Sequence, residues 1–161
     1  TRPGRSLTGT RAAPGIRPNV AHGPNVGGGP IVRQLPGPFT RLRVGGLVFY
    51  YCLGSFYTRH PDGYRVVAPP EGAVVRGLPR GHETIELGER TLYYFDGVFY
   101  EAGRRPGEYR VVRAPIGAVV GHLPGEAREV RIGDQLYHYA RGVYYLELRR
   151  GTETEYVVTL P

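Results

Sequence analysis

The sequence predicts an all-β protein built from three tandem repeats after an extended N-terminal arm. Two observations support this fold class. One pattern of about 44 residues recurs three times in the same order, and glycines stand at turn positions between short β-patterned runs. The chain also has 25 glycines and 15 prolines among 161 residues and no amphipathic helical period, which argues against an all-α protein.

The repeats are defined by an ordered set of short motifs. Each begins with two or three apolar residues before a Leu-Pro pair, continues with an alternating strand that ends in Gly, and closes on Tyr and Val-Val. Two aromatic pairs lie between these motifs: Tyr50-Tyr51, Tyr93-Tyr94 and Tyr137 with Tyr139, then Phe56-Tyr57, Phe99-Tyr100 and Tyr144-Tyr145. We therefore divide the chain into an arm at 1–27 and repeats at 28–70, 71–115 and 116–161.

Each repeat is predicted to contain about five short strands joined by tight turns. Type II′ turns are expected at Gly45-Gly46, Gly88-Glu89 and Gly133-Asp134, and a type I′ turn at Asp96-Gly97. The next loop has 6 residues in repeat 1 (58–63), 8 in repeat 2 (101–108) and 10 in repeat 3 (146–155). Growth in steps of two predicts a hairpin that gains one residue on each strand and keeps its register.

Units of this size are too small to be stable alone, so we expect them to stabilise one another or to pack on other subunits. Two architectures fit the pattern. The first is a row of small SH3-like barrels or meanders, which the Pro-rich joints at Pro69-Pro70 and Pro115 favour. The second is a single pseudo-threefold body such as a β-trefoil, which also uses three units of this size.

The repeat motif resembles a known family. The pattern is Y-Y-x-x-G-x-[FY]-Y, followed by G-Y-x-V-V-x-P-P-x-G-A-V-V-x-x-L-P. Its best carriers are Tyr93, Tyr94, Gly97, Phe99, Tyr100, Tyr109, Val111, Val112, Pro115, Gly117, Ala118, Val119, Val120, Leu123 and Pro124. It resembles exported bacterial proteins of unknown function that have a Tyr-rich β repeat. The resemblance covers roughly 28–161 and implies a secreted, cell-surface or periplasmic location, with no functional residues to transfer.

The arm has a period of six residues. Proline recurs at Pro18, Pro24 and Pro30, and valine follows two places later at Val20, Val26 and Val32. Six is a multiple of two and of three, so the valines share one face in a β-strand and in a polyproline II helix. A segment this rich in Gly and Pro buries little apolar surface by itself. We therefore expect these six residues to dock on the sheet edge of a neighbouring subunit.

The aromatic pairs are the second group of candidate interface residues. Adjacent residues on a strand point to opposite faces, so both faces of each sheet should have rings. One face is predicted to be core, and the other a protein interface, a sugar-stacking surface or plain packing. The candidates are Tyr50, Tyr51, Tyr57, Tyr93, Tyr94, Tyr100, Tyr144 and Tyr145.

No catalytic or cofactor motif is found. The five histidines lack metal-ligand spacing, and Gly27-Gly28-Gly29 is not followed by the Lys-Ser/Thr of a phosphate-binding loop. The single cysteine, Cys52, is interpreted as a small buried hydrophobe, with an intermolecular disulfide as the alternative. We therefore expect no enzyme activity, no cofactor and no metal.

The net charge of +7 is uneven along the chain. The arm has four Arg and no acid, repeat 1 has five Arg and one acid, repeat 2 has seven of each, and repeat 3 has five Arg and six acids. Such a gradient favours head-to-tail contact between copies. In the repeats Arg alternates with Glu, as at Arg128-Glu129, which makes nucleic acid an unlikely partner.

These observations predict an exported structural protein that self-assembles into a filament or surface polymer. The chain starts without Met or an apolar signal segment, as a mature chain does after signal-peptide removal, and no apolar run is long enough to cross a membrane. The alternative is a cell-envelope module that binds peptidoglycan, glycan or peptide. An accessory factor for another secreted machine is a third hypothesis.

Overall fold

The computed structural model describes residues 29–161, and every regular element in that range is a β-strand. Repeat 1 has strands β1 (Ile31–Val32), β2 (Phe39–Val44), β3 (Leu47–Cys52), β4 (Ser55–His60) and β5 (Gly63–Val67). Repeat 2 has β6 (Val74–Arg76), β7 (Glu83–Leu87), β8 (Arg90–Phe95), β9 (Val98–Ala102) and β10 (Glu108–Val112). Repeat 3 has β11 (Val119–Val120), β12 (Arg128–Ile132), β13 (Gln135–Ala140), β14 (Val143–Arg150) and β15 (Glu153–Thr159). The all-β class with three five-stranded repeats is confirmed.

Each repeat forms one antiparallel sheet with the same topology. In repeat 1 the strand order is β1-β5-β4-β3-β2, and the other two sheets repeat it. Strands two to five form a meander, and the short first strand pairs with the fifth: Ile31 lies opposite Arg65 and Val32 opposite Tyr64. Within residues 29–161 no sheet closes into a barrel, so the meander form of the prediction is correct and the SH3-like barrel form is wrong.

Tight turns set the register of the meanders. The predicted type I′ turn at Asp96-Gly97 is confirmed, because both residues have positive φ, 45° and 86°. Gly88 and Gly133 have positive φ and are followed by residues that do not, as type II′ requires. At Gly45-Gly46 both φ values are positive, 56° and 79°. That turn is therefore type I′ and not the predicted type II′. The second glycine permits the positive φ that type I′ requires at the second place.

The hairpin that follows these turns lengthens from repeat 1 to repeat 3 as predicted. It does not lengthen from repeat 1 to repeat 2, where pairing ends at Ala102–Tyr109 and the additional residues lie in the loop. In repeat 1, β4 and β5 end at the pair His60–Gly63. In repeat 3, β14 and β15 run further, to the pair Arg150–Glu153. Because each strand gains the same number of residues, the pairing stays in register.

The hydrophobic core lies between sheets and not inside them. One cluster joins repeats 1 and 2 and contains Phe49, Phe56, Val67, Ala73, Val75, Val98, Tyr100 and Val111. The other joins repeats 2 and 3 and contains Ile85, Leu92, Tyr94, Phe99, Ala114, Ala118, Val120, Ala140, Val143, Tyr145 and Val158. The middle sheet is thus buried on both faces. A five-stranded unit has too little apolar surface for a core of its own, so the repeats stabilise one another.

Repeat 3 also lies beside repeat 1. Residues of both, including Pro30, Val66, Tyr139 and Arg141, line one cleft of about 340 Å³. Each sheet therefore neighbours both others, and the three repeats form one body. This arrangement agrees with the prediction that the repeats stabilise one another, and within residues 29–161 neither a closed SH3-like barrel nor a closed β-trefoil barrel is present.

Candidate assembly site

The first class of predicted interface residues, the tyrosine pairs, forms recurring contacts inside the molecule. A tyrosine from the third strand packs against the ring that follows the next turn, and this contact is present in every repeat. The ring centroids are 4.9 Å apart for Tyr51–Phe56, 4.9 Å for Tyr94–Phe99 and 5.0 Å for Tyr139–Tyr144. These pairs pack across the turn in each repeat and add to its stability.

Tyrosine hydroxyls lie at the contacts between repeats. The hydroxyl oxygens of Tyr51 and Tyr100 are 3.5 Å apart, and Tyr94 donates a hydrogen bond of 2.8 Å to the His122 carbonyl. Burial raises the pKa of Tyr94, Tyr100 and Tyr145 well above the ordinary value of 10. These groups are therefore neutral phenols at neutral pH.

Most of the tyrosine candidates consequently face other repeats of the same chain. Tyr57, Tyr94, Tyr100, Tyr144 and Tyr145 are at most 6% exposed, and Tyr51 is partly buried against the first cluster. Their side chains are not accessible to a second copy in this structure. The second face of each strand, for which the sequence allowed an external interface, instead packs against another repeat.

The other two candidates, Tyr50 and Tyr93, belong to a second recurring contact. Edge-on pairs are formed by Tyr50–Tyr64 at 5.3 Å, Tyr93–Tyr109 at 5.1 Å and His138–Tyr156 at 5.2 Å. The register agrees, because His138 lies opposite Tyr145 as Tyr93 lies opposite Tyr100. His138, and not Tyr137, is thus the equivalent of Tyr93 in repeat 3. The constant shift of 45 residues from Tyr94 to Tyr139 was the signal for it.

Repeats 2 and 3 are also joined by an ion-pair network that the sequence did not reveal. Arg141 donates from Nε to Glu126 at 2.7 Å and from Nη2 to Asp96 at 3.1 Å. Burial is the largest single influence on the pKa of the Glu126 carboxyl and acts to raise it, but the Arg141 hydrogen bond, a backbone hydrogen bond and the Arg141 charge together lower the pKa. Arg141 has a positive φ of 49°, as the equivalent residues Leu53 and Asp96 do, so the turn itself imposes this backbone conformation.

The second class of predicted interface residues is the arm. Pro18, Val20, Pro24 and Val26 lie outside the described residues. Pro30 and Val32 lie within repeat 1: the Pro30 carbonyl accepts a hydrogen bond of 2.9 Å from the Val66 N–H, and Val32 is the last residue of β1. The chain that follows the arm thus enters the fold as a short strand on the edge of β5.

The equivalent edge in repeat 3 is only partly covered. The strand β15 has seven residues, but β11 pairs with only Tyr156 and Val157. The Val158 N–H points to this side, since it donates to the Ala118 carbonyl at 2.9 Å. Backbone groups alternate along a strand, so those of Thr154 point to the same side. In residues 29–161 no strand lies against them there.

Ionic side chains surround this open edge. Arg150 lies 3.3 Å from Glu155, and Glu147 lies 2.8 Å from Arg149 and 3.4 Å from His138. Glu153 is exposed and forms no ion pair with another described residue. The end of the β14–β15 hairpin therefore has three Glu against two Arg, next to an unpaired backbone edge.

Other candidate chemistry is sparse in the described range. Cys52 is 1% exposed, and its Sγ lies 3.5 Å from the Gly37 carbonyl oxygen, as expected for a small buried hydrophobe. Residues 29–161 contain no group of three His, Cys, Asp or Glu side chains that could hold a metal ion. They also contain no helix of the length and apolarity that a membrane span requires.

Comparison with known proteins gives one match. No curated protein and no solved structure matches the chain. A family model does match, over residues 24–160. Since this range includes all three sheets, the chain belongs to the family described as Family of unknown function (DUF6515).

Proposed function

We propose that this protein is a non-enzymatic structural protein that self-assembles by β-strand addition. The arm of one copy, at 1–27, adds as a strand to the open edge of β15 in the next copy. The observation that supports this proposal is the outer side of Thr154, where backbone groups of a regular strand have no partner in the described chain. Such an edge is a template for another strand.

The arm is suited to this edge in charge and in periodicity. It has four Arg and no acid, whereas repeat 3 has an excess of acids. Its valines recur every six residues, so Val20 and Val26 present one face to a sheet when the segment is extended. The residues that follow the arm already show this mode, since Ile31–Val32 pair with β5.

Strand addition between unlike surfaces leads to a polymer. The arm and the β15 edge are different surfaces, so two copies joined by one contact would still offer one free arm and one free β15 edge. Such a heterologous contact gives an open filament when its rotation does not close a ring. The resemblance of the repeat to exported proteins supports a location outside the cytoplasm for this assembly.

The test is a substitution on the outer edge. Thr154→Pro removes the outward N–H, and proline is tolerated on an edge strand because no ladder bond is lost. Thr154→Val is the matched control, because it keeps the N–H and the β-branched shape. Static light scattering and negative-stain microscopy of the full chain should show polymers for the parent and Thr154→Val, and monomers for Thr154→Pro.

A second variant tests the other partner in the contact. Deletion of 1–27 should abolish assembly, while the circular dichroism spectrum and the thermal unfolding of the three sheets stay unchanged. The truncated protein should still cap growing polymers of the full chain, because its β15 edge is intact. A full chain that stays monomeric at high concentration, or polymers that are insensitive to Thr154→Pro, would contradict the proposal.

A further inference from the structure

We propose that repeat 1 has a binding site for an acidic polysaccharide, one with carboxylates on its sugar rings. The site is a groove of about 360 Å³ at the end of the first sheet, called here the basic groove, and it is lined by Arg33, Phe39, Arg59, His60 and Tyr64 among others. This site is separate from the β15 edge, and the inference does not depend on self-assembly.

The first step is the charge of repeat 1. None of its five arginines forms an ion pair with another described residue. In repeats 2 and 3, six arginines are paired: Arg90, Arg110, Arg113, Arg141, Arg149 and Arg150. The one acid of repeat 1, Asp62, lies 3.8 Å from His60 and is exposed. Repeat 1 therefore has a cationic surface without internal counter-charge, which attracts an anionic partner.

Three of the five arginines of repeat 1 lie on one face of its sheet, whereas Arg65, opposite Thr58, lies on the other face. Arg41 lies directly opposite Tyr50, and Arg59 directly opposite Tyr64, so these residues share a face. Arg43, two residues after Arg41, points to that face as well. Cations on one face make a patch and not a dispersed charge.

The second step is the aromatic strip beside these cations. Phe39 contacts Tyr50 edge-on at 5.6 Å, and Tyr50 contacts Tyr64 edge-on at 5.3 Å. Arg59 lies over the Tyr64 ring at 5.1 Å and donates to its hydroxyl at 2.9 Å. Phe39 is 52% exposed, so its ring is open to a ligand. A flat apolar ring next to planar guanidinium groups suits a sugar ring that has a carboxylate.

The geometry favours an acidic sugar over a single-stranded nucleic acid. Nucleic acid binders stack successive bases on several open rings. Here the rings pack edge to face, at 65° and 75°, and Arg59 covers one face of Tyr64. Phe39 is thus the main open platform, which matches one sugar ring flanked by carboxylate contacts.

The site occurs once per chain. The residue equivalent to Phe39 is His82 in repeat 2 and Ala127 in repeat 3. In repeat 2 the equivalent strip, Tyr93 with Tyr109, packs against the core shared with repeat 1. The arm is not the occupant, because it is itself basic. We therefore expect one binding site per molecule.

The experiment measures binding of oligogalacturonate to the full chain by isothermal titration calorimetry, with neutral dextran and oligo-dT of similar length as competitors. We expect one site per chain, no binding of dextran, and affinity that falls as salt rises. The double variant Arg33→Ser/Arg59→Ser should weaken binding by about tenfold or more, since charge-assisted bidentate contacts are lost.

Matched variants separate the site from bulk charge and from folding. Arg104→Ser/Arg105→Ser removes the same charge from an exposed loop of repeat 2 and should leave the affinity unchanged. Phe39→Ala should weaken binding several-fold, whereas Leu160→Ala, at a similarly exposed apolar residue, should not. Equal losses in both double variants, tighter binding of oligo-dT, or no binding of oligogalacturonate would overturn the inference. Light scattering of the same variants should be unchanged, which keeps this result distinct from the assembly test.

Discussion

Arg141 of repeat 3 forms an ion pair with Asp96 of repeat 2, and the two residues occupy equivalent positions in their repeats. Arg141 Nη2 lies 3.1 Å from Asp96 Oδ2, and both residues occupy the first place of the same tight turn, with φ of 49° and 45°. The third equivalent residue is Leu53, with φ of 50°. One turn position therefore supplies both partners of an ion pair between repeats 2 and 3, and an exposed leucine in repeat 1.

The first prediction concerns this ion pair. Both Asp96→Asn and Arg141→Gln remove the charge; the first keeps the side-chain shape and the second keeps only the first part of the aliphatic stem, and a double-mutant cycle isolates the interaction. We expect a coupling of about 0.5–1 kcal/mol in the free energy of unfolding, the upper range for partly exposed pairs. Urea denaturation measures it, and additive effects of the two substitutions would show that the pair does not stabilise the contact.

The second prediction concerns Leu53. A leucine with positive φ is strained by its Cβ, and asparagine tolerates this conformation better. Leu53 is 63% exposed, so its replacement loses little packing. Leu53→Asn should raise the free energy of unfolding by about 0.5–1 kcal/mol, a part of the left-handed penalty.

The control for this change is another exposed leucine. Leu47 is 45% exposed and lies in β3 without a positive φ. Leu47→Asn should be neutral or destabilising, because asparagine is unfavourable in strands. Equal stabilisation by both substitutions would mean that lower surface hydrophobicity, and not backbone strain, is the cause.

The third prediction separates crowding from backbone strain at glycine. Gly54 and Gly72 both have φ of 88°, but their surroundings differ. A Cβ on Gly54 would lie 2.6 Å from Phe95 Cε1 of the next repeat, whereas a Cβ on Gly72 would meet no atom within 4 Å. Gly54→Ala should therefore destabilise more than Gly72→Ala, by about 1–3 kcal/mol, the usual cost of overpacking. Thermal unfolding of the two variants gives the comparison, and equal losses would refute the crowding.

The physical reason for each outcome explains how far the sequence could predict this structure. Turn glycines and alternating strands depend on local backbone geometry, so the meanders and the I′ turn at Asp96 were predictable. Alternation also predicts rings on both faces of a strand, and Phe99 and Tyr100, adjacent on β9, confirm it by packing in different clusters. Local patterns do not tell which surface covers each face. The shared cores and the Arg141 network depend on contacts between repeats, and they became visible only in three dimensions.

The fourth prediction compares two buried hydroxyls. Tyr94 donates to the His122 carbonyl, whereas the Tyr145 hydroxyl, although close enough to Tyr94 to affect its pKa, is buried without a hydrogen bond of good geometry to another described residue. Tyr145→Phe should stabilise the protein by about 1 kcal/mol, because a desolvated polar group is removed. Tyr94→Phe should destabilise it by a similar amount, because a carbonyl loses its donor. Opposite signs in urea denaturation support the assignment, and a loss of stability on Tyr145→Phe would show that its hydroxyl has a partner.

The fifth prediction concerns alkaline pH. Burial raises the pKa of Tyr100 and Tyr145 above 10, the ordinary value that these side chains regain on unfolding. A group whose pKa is higher in the folded state makes its full contribution to stability at pH values below its unfolded pKa. That contribution is lost as the pH rises from the unfolded pKa through the folded pKa. The free energy of unfolding should therefore fall above pH 10, and tyrosinate absorbance should rise together with unfolding. In Tyr100→Phe/Tyr145→Phe two such groups are absent, so the decline should be less steep.

The control is Tyr137→Phe, at a partly exposed residue, which should keep the parent's slope. Equal slopes in all three proteins would contradict the linkage between these buried phenols and alkaline unfolding.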